Sequence, residues 1–286
     1  MCRTVDLRQA VLARNDDSAR RLREALEARG TVAVNLLSSP GSGKTALLEA
    51  ELGLARRRRV EVAALTADLA TENDARRLAR SGAPVKQVLT DGLCHLEARM
   101  LAGHLDGWLP AECRLLFVEN VGNLVCPASY DLGETLRVVL ASVTEGEDKP
   151  LKYPTAFGLA NLVLVTKTDL AAAAEFDEAA FLANVQRVNP GVTVLNTSAR
   201  TGEGVGALLD RALAVLEGAE PHRPVMSAAP HDHGHAHDDE DEHGDGHDRG
   251  DRHDHGDRHD HDQGHDHDQG HGHGHHHGRS AVGERA

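Results

Sequence analysis

Apolar residues recur along the first three quarters of the chain in two rhythms. Over residues 5–29, Leu7, Val11, Leu12, Leu22 and Leu26 fall at broadly helical spacing, and Gly30 is placed to end the run. One or two helices are therefore expected to lead into the domain. After them come six short apolar runs, TVAVNLLSS, VEVAALTAD, RLLFVEN, RVVLASVTEG, NLVLVTKTD and VTVLNTSA, with helical segments between them. This alternation predicts an α/β fold, a mostly parallel β-sheet flanked by crossover helices, with ligands at the carboxyl ends of the strands. From Pro221 the pattern stops, and residues 231–278 are almost entirely His, Asp, Gly and Arg. Such a segment cannot bury enough apolar surface to offset the entropy of ordering and is expected to be disordered without a ligand. The expected division is a helical segment over 1–30, a nucleotide-binding domain with a metal site over 31–218, and a His/Asp-rich tail over 219–286.

Charge sharpens this division. The formal net charge is −14, but residues 231–278 hold fifteen acidic side chains against three arginines, so the remainder is nearly neutral at −2. No dominant basic surface is left for nucleic acid or an anionic membrane. No apolar stretch is long enough to span a bilayer, and the N-terminus, MCRTVDLRQAVL, is charged where a signal peptide is apolar. A cytoplasmic location is expected, and with it cysteines (Cys2, Cys94, Cys113, Cys126) that bind metal or are buried rather than forming a disulfide framework.

The first apolar run leads into Ser38-Ser39-Pro40-Gly41-Ser42-Gly43-Lys44-Thr45, then Ala46 and a helical segment. This is the phosphate-loop pattern GxxxxGK[ST] with Ser38 at the first glycine position. Gly41 and Gly43 let backbone amides curl around an anion, Lys44 brings a point charge to the β and γ phosphates, and Thr45 brings a hydroxyl to Mg²⁺. RLLFVENVGN supplies Glu119 and Gly122 in an ExxG arrangement. Glu119 is expected to orient Mg²⁺, and the Gly122 amide to approach the γ phosphate. Asp68, at the end of VEVAALTAD, is a further carboxylate for magnesium or catalysis, or an ordinary helix cap. Base choice falls to Lys167 and Asp169, which match NKxD with Thr166 in the asparagine position. A carboxylate at 169 accepts both the N1–H and the exocyclic amine of guanine, which adenine cannot reproduce. Ser198 and Ala199, in Thr197-Ser198-Ala199-Arg200, form a second guanine-side loop. The reaction expected is GTP hydrolysis with Lys44, Glu119 and Asp68 as catalytic candidates. No glutamine is placed to orient water, so turnover is expected to be slow. Thr166 is expected to loosen the base-side loop or weaken affinity.

Two further segments carry soft ligands: Thr90-Asp91-Gly92-Leu93-Cys94-His95-Leu96 and, after Gly122, Asn123-Leu124-Val125-Cys126-Pro127. Sulfur and imidazole nitrogen suit Ni²⁺ or Zn²⁺ far better than Mg²⁺. Spacing alone leaves open that Cys94 or Cys126 is a buried small side chain.

The strings SSPGSGKT, DGLCHLEA, ENVGNLVCPA and VTEGEDKPLKYP, in this order, resemble the HypB family of hydrogenase-maturation GTPases over roughly residues 10–218. The resemblance implies a phosphate-loop NTPase of the SIMIBI class that dimerises with GTP at the interface. It further implies delivery of nickel to a [NiFe]-hydrogenase large-subunit precursor together with a HypA-like nickel/zinc chaperone. By motif, Cys94, His95 and Cys126 become the metal site of the GTPase domain, shared between two subunits and holding Ni²⁺ or Zn²⁺. Lys149, in EDKPLKYP, then either reaches the partner subunit or its nucleotide or is a solvated surface lysine. The CxxCGC motif that opens some family members is absent, and only Cys2 lies near the N-terminus. Cys113 and His104 lie outside the family strings and read as burial or helix packing. The urease-accessory nickel GTPase UreG is a second resemblance, but it places Cys-Pro-His together, whereas Cys94-His95 and Cys126-Pro127 are separate here.

Seventeen of the twenty histidines lie between His231 and His277. The candidate tail ligands are His231, His233, His235, His237, His253, His255, His259, His261, His265, His267, His271, His273, His275, His276 and His277. Near pH 7 imidazole is mainly neutral and free to bind Ni²⁺, Cu²⁺ or Zn²⁺, and neighbouring aspartates lower the electrostatic cost of gathering cations. Nickel storage is the expected tail function. The alternative is a storage protein with vestigial nucleotide hydrolysis.

Overall fold

The computed structural model describes residues 2–68, 73–90 and 92–227. The tail histidines lie outside the described residues. A single helix, α1 (Cys2–Ala28), opens the chain, and Gly30 leaves it at φ +66°, a left-handed conformation that suits glycine after a helix. The following elements alternate as β1 (Val32–Ser38), α2 (Lys44–Arg57), β2 (Val62–Asp68), α3 (Asn73–Ala79), β3 (Val85–Leu89), α4 (Ala98–Leu105), β4 (Leu115–Glu119) and β5 (Leu136–Ser142). Two short helices, α5 (Lys149–Lys152) and α6 (Pro154–Gly158), precede β6 (Leu162–Thr166), α7 (Glu178–Val188), β7 (Thr193–Asn196) and α8 (Ala207–Leu216).

All seven strands are parallel, in the order β3-β2-β4-β1-β5-β6-β7. Burial on both faces explains why the strands read as continuous apolar runs rather than alternating ones. Val34, Leu36, Phe117 and Val138 turn one way to pack with Leu47, Leu48 and Leu52 of α2 and Leu208 of α8. Ala33, Leu65, Leu116 and Val118 turn the other way, against Leu22 and Leu26 of α1 and Leu101 and Leu105 of α4. On that second face, Val139 and Val163 pack with Phe157 of α6 and Phe181 of α7.

The seventh strand, β3, is absent from the six apolar runs of the sequence. It is an edge strand, so one side of its ladder is unpaired, and it tolerates Lys86 and Gln87 at its centre. The Lys86 ammonium donates to the His104 carbonyl and lies over the Trp108 ring. Packing also runs past the expected boundary at 218. The Asn161 side chain donates to the His222 carbonyl, and the His222 imidazole pairs with Asn189 Oδ1 at 2.8 Å.

Among the described residues no helix is long and apolar enough to cross a membrane. Phe117 is fully buried at the centre of the sheet. Phe117→Ala is expected to cost about 3–5 kcal/mol of stability, read as a lower denaturation midpoint in urea.

Candidate functional site

The parallel arrangement brings the ends of β1, β4, β5, β6 and β7 to one edge of the sheet, where the chemistry-bearing loops gather. Gly41 and Gly43 take φ values of +74° and +92°, the left-handed backbone with which a loop between β1 and α2 can curl around an anion. The Ser42 hydroxyl is buried there with no hydrogen-bond partner, as suits a donor awaiting a phosphate oxygen. The loop borders a cavity of about 510 Å³ that also meets Gly122, Asp74 and Arg77. The last two, from the TENDARR segment, were missed in the sequence because nothing in their spacing marks a phosphate side.

Glu119 ends β4 only 2% exposed. Its Oε1 accepts the Thr45 hydroxyl at 2.5 Å and lies 3.8 Å from the Lys44 ammonium, while its Oε2 is buried with no hydrogen-bond partner. Burial pushes the carboxyl above its ordinary range, against the pull of Lys44. A carboxylate with one free oxygen beside a threonine hydroxyl is the donor set expected for Mg²⁺ or its water. Asp68 ends β2, and its side chain lies outside the described residues. Gly122 packs directly on the phosphate loop, where an added Cβ would stand 3.2 Å from Pro40 Cα.

A second cavity of about 410 Å³ is lined by Lys167, Asp169, Leu170, Ala199 and Arg200 and shares Gly43 and Ala46 with the first, so the two form one cleft. Thr166, expected to loosen this end or weaken affinity, is held by a hydrogen bond. Its buried hydroxyl donates to the Ser42 carbonyl at 2.6 Å and ties β6 to the phosphate loop. Lys167, in a left-handed conformation, spans the loop to reach the Gly41 carbonyl at 2.7 Å. The Asp169 carboxylate accepts Ser198 Oγ at 2.5 Å and Arg200 Nε at 2.6 Å, and these two bonds hold its pKa below the usual carboxylate range. The carboxylate therefore stays an acceptor at the wall of the cleft, with Ser198 and Arg200 fixing one oxygen each.

Lys149 is not a solvated lysine. It is buried, donates to Ser39 Oγ at 2.6 Å and Glu145 Oε1 at 2.8 Å, and lies over the Tyr153 ring. It thus braces the phosphate loop within its own chain.

The Cys94 and Cys126 thiols are neighbours, both partly exposed. Their mutual hydrogen bond, with burial, pushes the Cys94 thiol up. His95 Nδ1 lies 3.7 Å from Cys94 Sγ, its ring stacks on Tyr130 with centroids 3.9 Å apart, and its Nε2 is buried 3.8 Å from Glu97 Oε1. Burial lowers the imidazole pKa, with Glu97 opposing, so the ring is held neutral and able to ligate. Cys94 thus meets both other expected ligands, His95 and Cys126. Among the described residues, however, no group of three or more His, Cys, Asp or Glu side chains that could hold a metal ion is formed within the single chain. Tyr130 and Glu97 were missed in the sequence, although each lies within four residues of a cysteine or histidine ligand. Cys113 is a core residue whose thiol burial raises to about 11, and His104 sits on α4, partly exposed, as helix packing.

These features can be set beside known proteins. The family model for the CobW/HypB/UreG nucleotide-binding domain matches residues 32–196. Hydrogenase maturation factor HypB of Azotobacter vinelandii is 47% identical over 207 residues, spanning 72% of this chain and 68% of that protein. The Escherichia coli K12 protein of the same name is 44% identical over 208 residues, spanning 73% and 71%. The crystal structure of HypB from Helicobacter pylori in complex with nickel superposes with a TM-score of 0.69 at 34% identity, over 75% of this chain and all of that one. The Archaeoglobus fulgidus HypB structure gives 0.66 at 38% identity, over 72% and all. The phosphate loop, the Lys167–Asp169 pair and both thiol segments fall inside the matched span, and the chain belongs to the CobW/HypB/UreG family of P-loop GTPases, among the HypB hydrogenase maturation factors.

Proposed function

We propose that this chain is a GTP-driven nickel carrier, which binds nickel through Cys94, His95 and Cys126 and hands it to a [NiFe]-hydrogenase precursor. The observation that carries this reading is the continuity of one loop. From Glu119 at the phosphate cleft the chain runs through Gly122, packed on Pro40, to Cys126, in contact with Cys94. A change in phosphate occupancy at Gly122 is therefore felt within a few residues at a thiol ligand. The partly exposed thiols, open to a second chain, support a site completed by GTP-dependent homodimerisation. The nickel-bound HypB relative supports nickel as the cargo over zinc.

In hydrolysis Lys44 and the phosphate-loop amides neutralise charge on the phosphates. Glu119 and Thr45 would hold Mg²⁺ or its water, with Asp68 as a further carboxylate, and the bound ion would supply neutralisation of phosphate charge. Asp169 reads guanine, with Ser198 and Ala199 closing the base side. A HypA-like nickel/zinc chaperone and the hydrogenase precursor are the partners of this reading, and the histidine-rich tail is a nickel store that feeds the domain.

The decisive experiment titrates Ni²⁺ into the chain ending at Ser227, with and without a non-hydrolysable GTP analogue and Mg²⁺, while oligomeric state and thiolate-to-nickel absorption are recorded. Nickel bound at about one ion per pair of chains, lost with Cys94→Ala or Cys126→Ala and altered by nucleotide, is the expected result. Nickel binding by the full chain but not by this domain would favour storage. Two further outcomes are expected. Lys44→Ala lowers the GTP hydrolysis rate about a hundredfold or more in a phosphate-release assay. Asp169→Asn lowers GTP affinity by at least about a hundredfold and shifts preference toward xanthosine nucleotides in calorimetric titration, because the amide now donates where it had accepted.

A further inference from the structure

The two segments that carry the metal ligands are held from behind by α1. Asn15 is 6% exposed, and both ends of its amide are used. Nδ2 donates to the Asp131 carbonyl at 2.7 Å, and Oδ1 accepts the backbone amide of Ala98 at 3.0 Å. Ala98 opens α4 just after Cys94 and His95, and Asp131 closes the turn that follows Cys126. One side chain thus joins the Cys94–His95 segment to the Cys126 segment. Burying an amide is costly unless it is satisfied, and neither of these bonds serves α1 itself. Leu22 and Leu26 already supply the apolar contact that docks the helix.

The same face of α1 grips the turn at two more points, each one helical turn further on. Gly133, at φ +76°, lies so close that a Cβ would stand 2.5 Å from the Ala19 carbonyl oxygen. Arg23 Nη2 donates to both Asp131 carboxylate oxygens, at 2.8 and 2.7 Å. Asn15, Ala19 and Arg23 form one stripe on the helix, and the turn from Asp131 to Gly133 is seated along it. The other end of this loop is pinned at Gly122 against Pro40. Cys126 therefore lies in a span fixed at both ends, with Tyr130 at its far end stacked on His95.

We propose that Asn15 is a positioning residue for the nickel site. It fixes the separation of the Cys94–His95 and Cys126 segments, with Ala19 and Arg23 anchoring the second of these to α1. The inference rests on the reading of Cys94, His95 and Cys126 as nickel ligands.

The test uses the full chain and Ni²⁺ alone. The tail contains no cysteine, so thiolate-to-nickel absorption reports the domain even when the tail also takes up metal, and its loss in Cys94→Ser and Cys126→Ser assigns it to that pair rather than to Cys2 or Cys113. Asn15→Asp keeps the acceptor for Ala98 and removes the donor to Asp131, while Asn15→Ala removes both. The expected result is a nickel midpoint about tenfold higher for Asn15→Asp and higher still for Asn15→Ala, with GDP affinity held in both. An unchanged midpoint in both variants overturns the proposal. So does a loss of nickel affinity in step with GDP affinity and melting temperature, which marks a general folding role. In the parent chain, a band that survives Cys94→Ser and Cys126→Ser, or no band at all, overturns the nickel reading itself. An unchanged midpoint with a cysteine-dependent band overturns only the role of Asn15.

Discussion

A carboxylate buried at the end of a fully enclosed strand is the constraint on which the site depends. Glu119 has lost nearly all its water, which pushes its carboxyl above the ordinary range, and Lys44 and Thr45 oppose that shift. Those two residues begin α2, so the electrostatic need of β4 fixes where the phosphate loop ends and how it is turned. The loop must then curl through Gly41 and Gly43, and Lys167 and Thr166 hold it from the base side. The second Glu119 oxygen, buried with no hydrogen-bond partner, leaves the arrangement one interaction short.

The same strand end sets the geometry of the thiols. The chain leaves Glu119, touches the phosphate loop at Gly122, presents Cys126 and is then caught by α1. The phosphate loop and the Cys94–Cys126 thiol pair are thus joined by one short covalent path, held at Gly122 and at the turn gripped by α1.

The sequence reported best those features whose chemistry is local. The phosphate loop, Lys167 and Asp169 and the two cysteine segments each carry their residue types within a few positions, and their strands are apolar throughout because helices cover both faces. Features made by pairing distant residues were silent. Edge strand β3 carries Lys86 and Gln87 where a core strand would not, so it did not register as apolar. Asn15 looks like an ordinary polar residue on an amphipathic helix until Asp131 and Ala98 are brought against it. Thr166 read as a defect in a motif, yet its hydroxyl does a job visible only once β6 lies beside the phosphate loop. Lys149 could not be told from a surface lysine, since Ser39 lies far away in the chain.

The strand order carries a consequence for how the protein is made. β1, which leads into the phosphate loop, lies between β4 and β5 and pairs with neither of its nearest successors in the chain. During synthesis its two edges stay unpaired until Leu115 and then Leu136 have emerged. Parallel pairings between such distant segments close slowly, and an apolar strand waiting with open edges invites association with other chains. The cleft reaches from the β1 loop to the late-arriving loops after β6 and β7, so a ligand held across it would bind the finished fold alone and stabilise it by mass action.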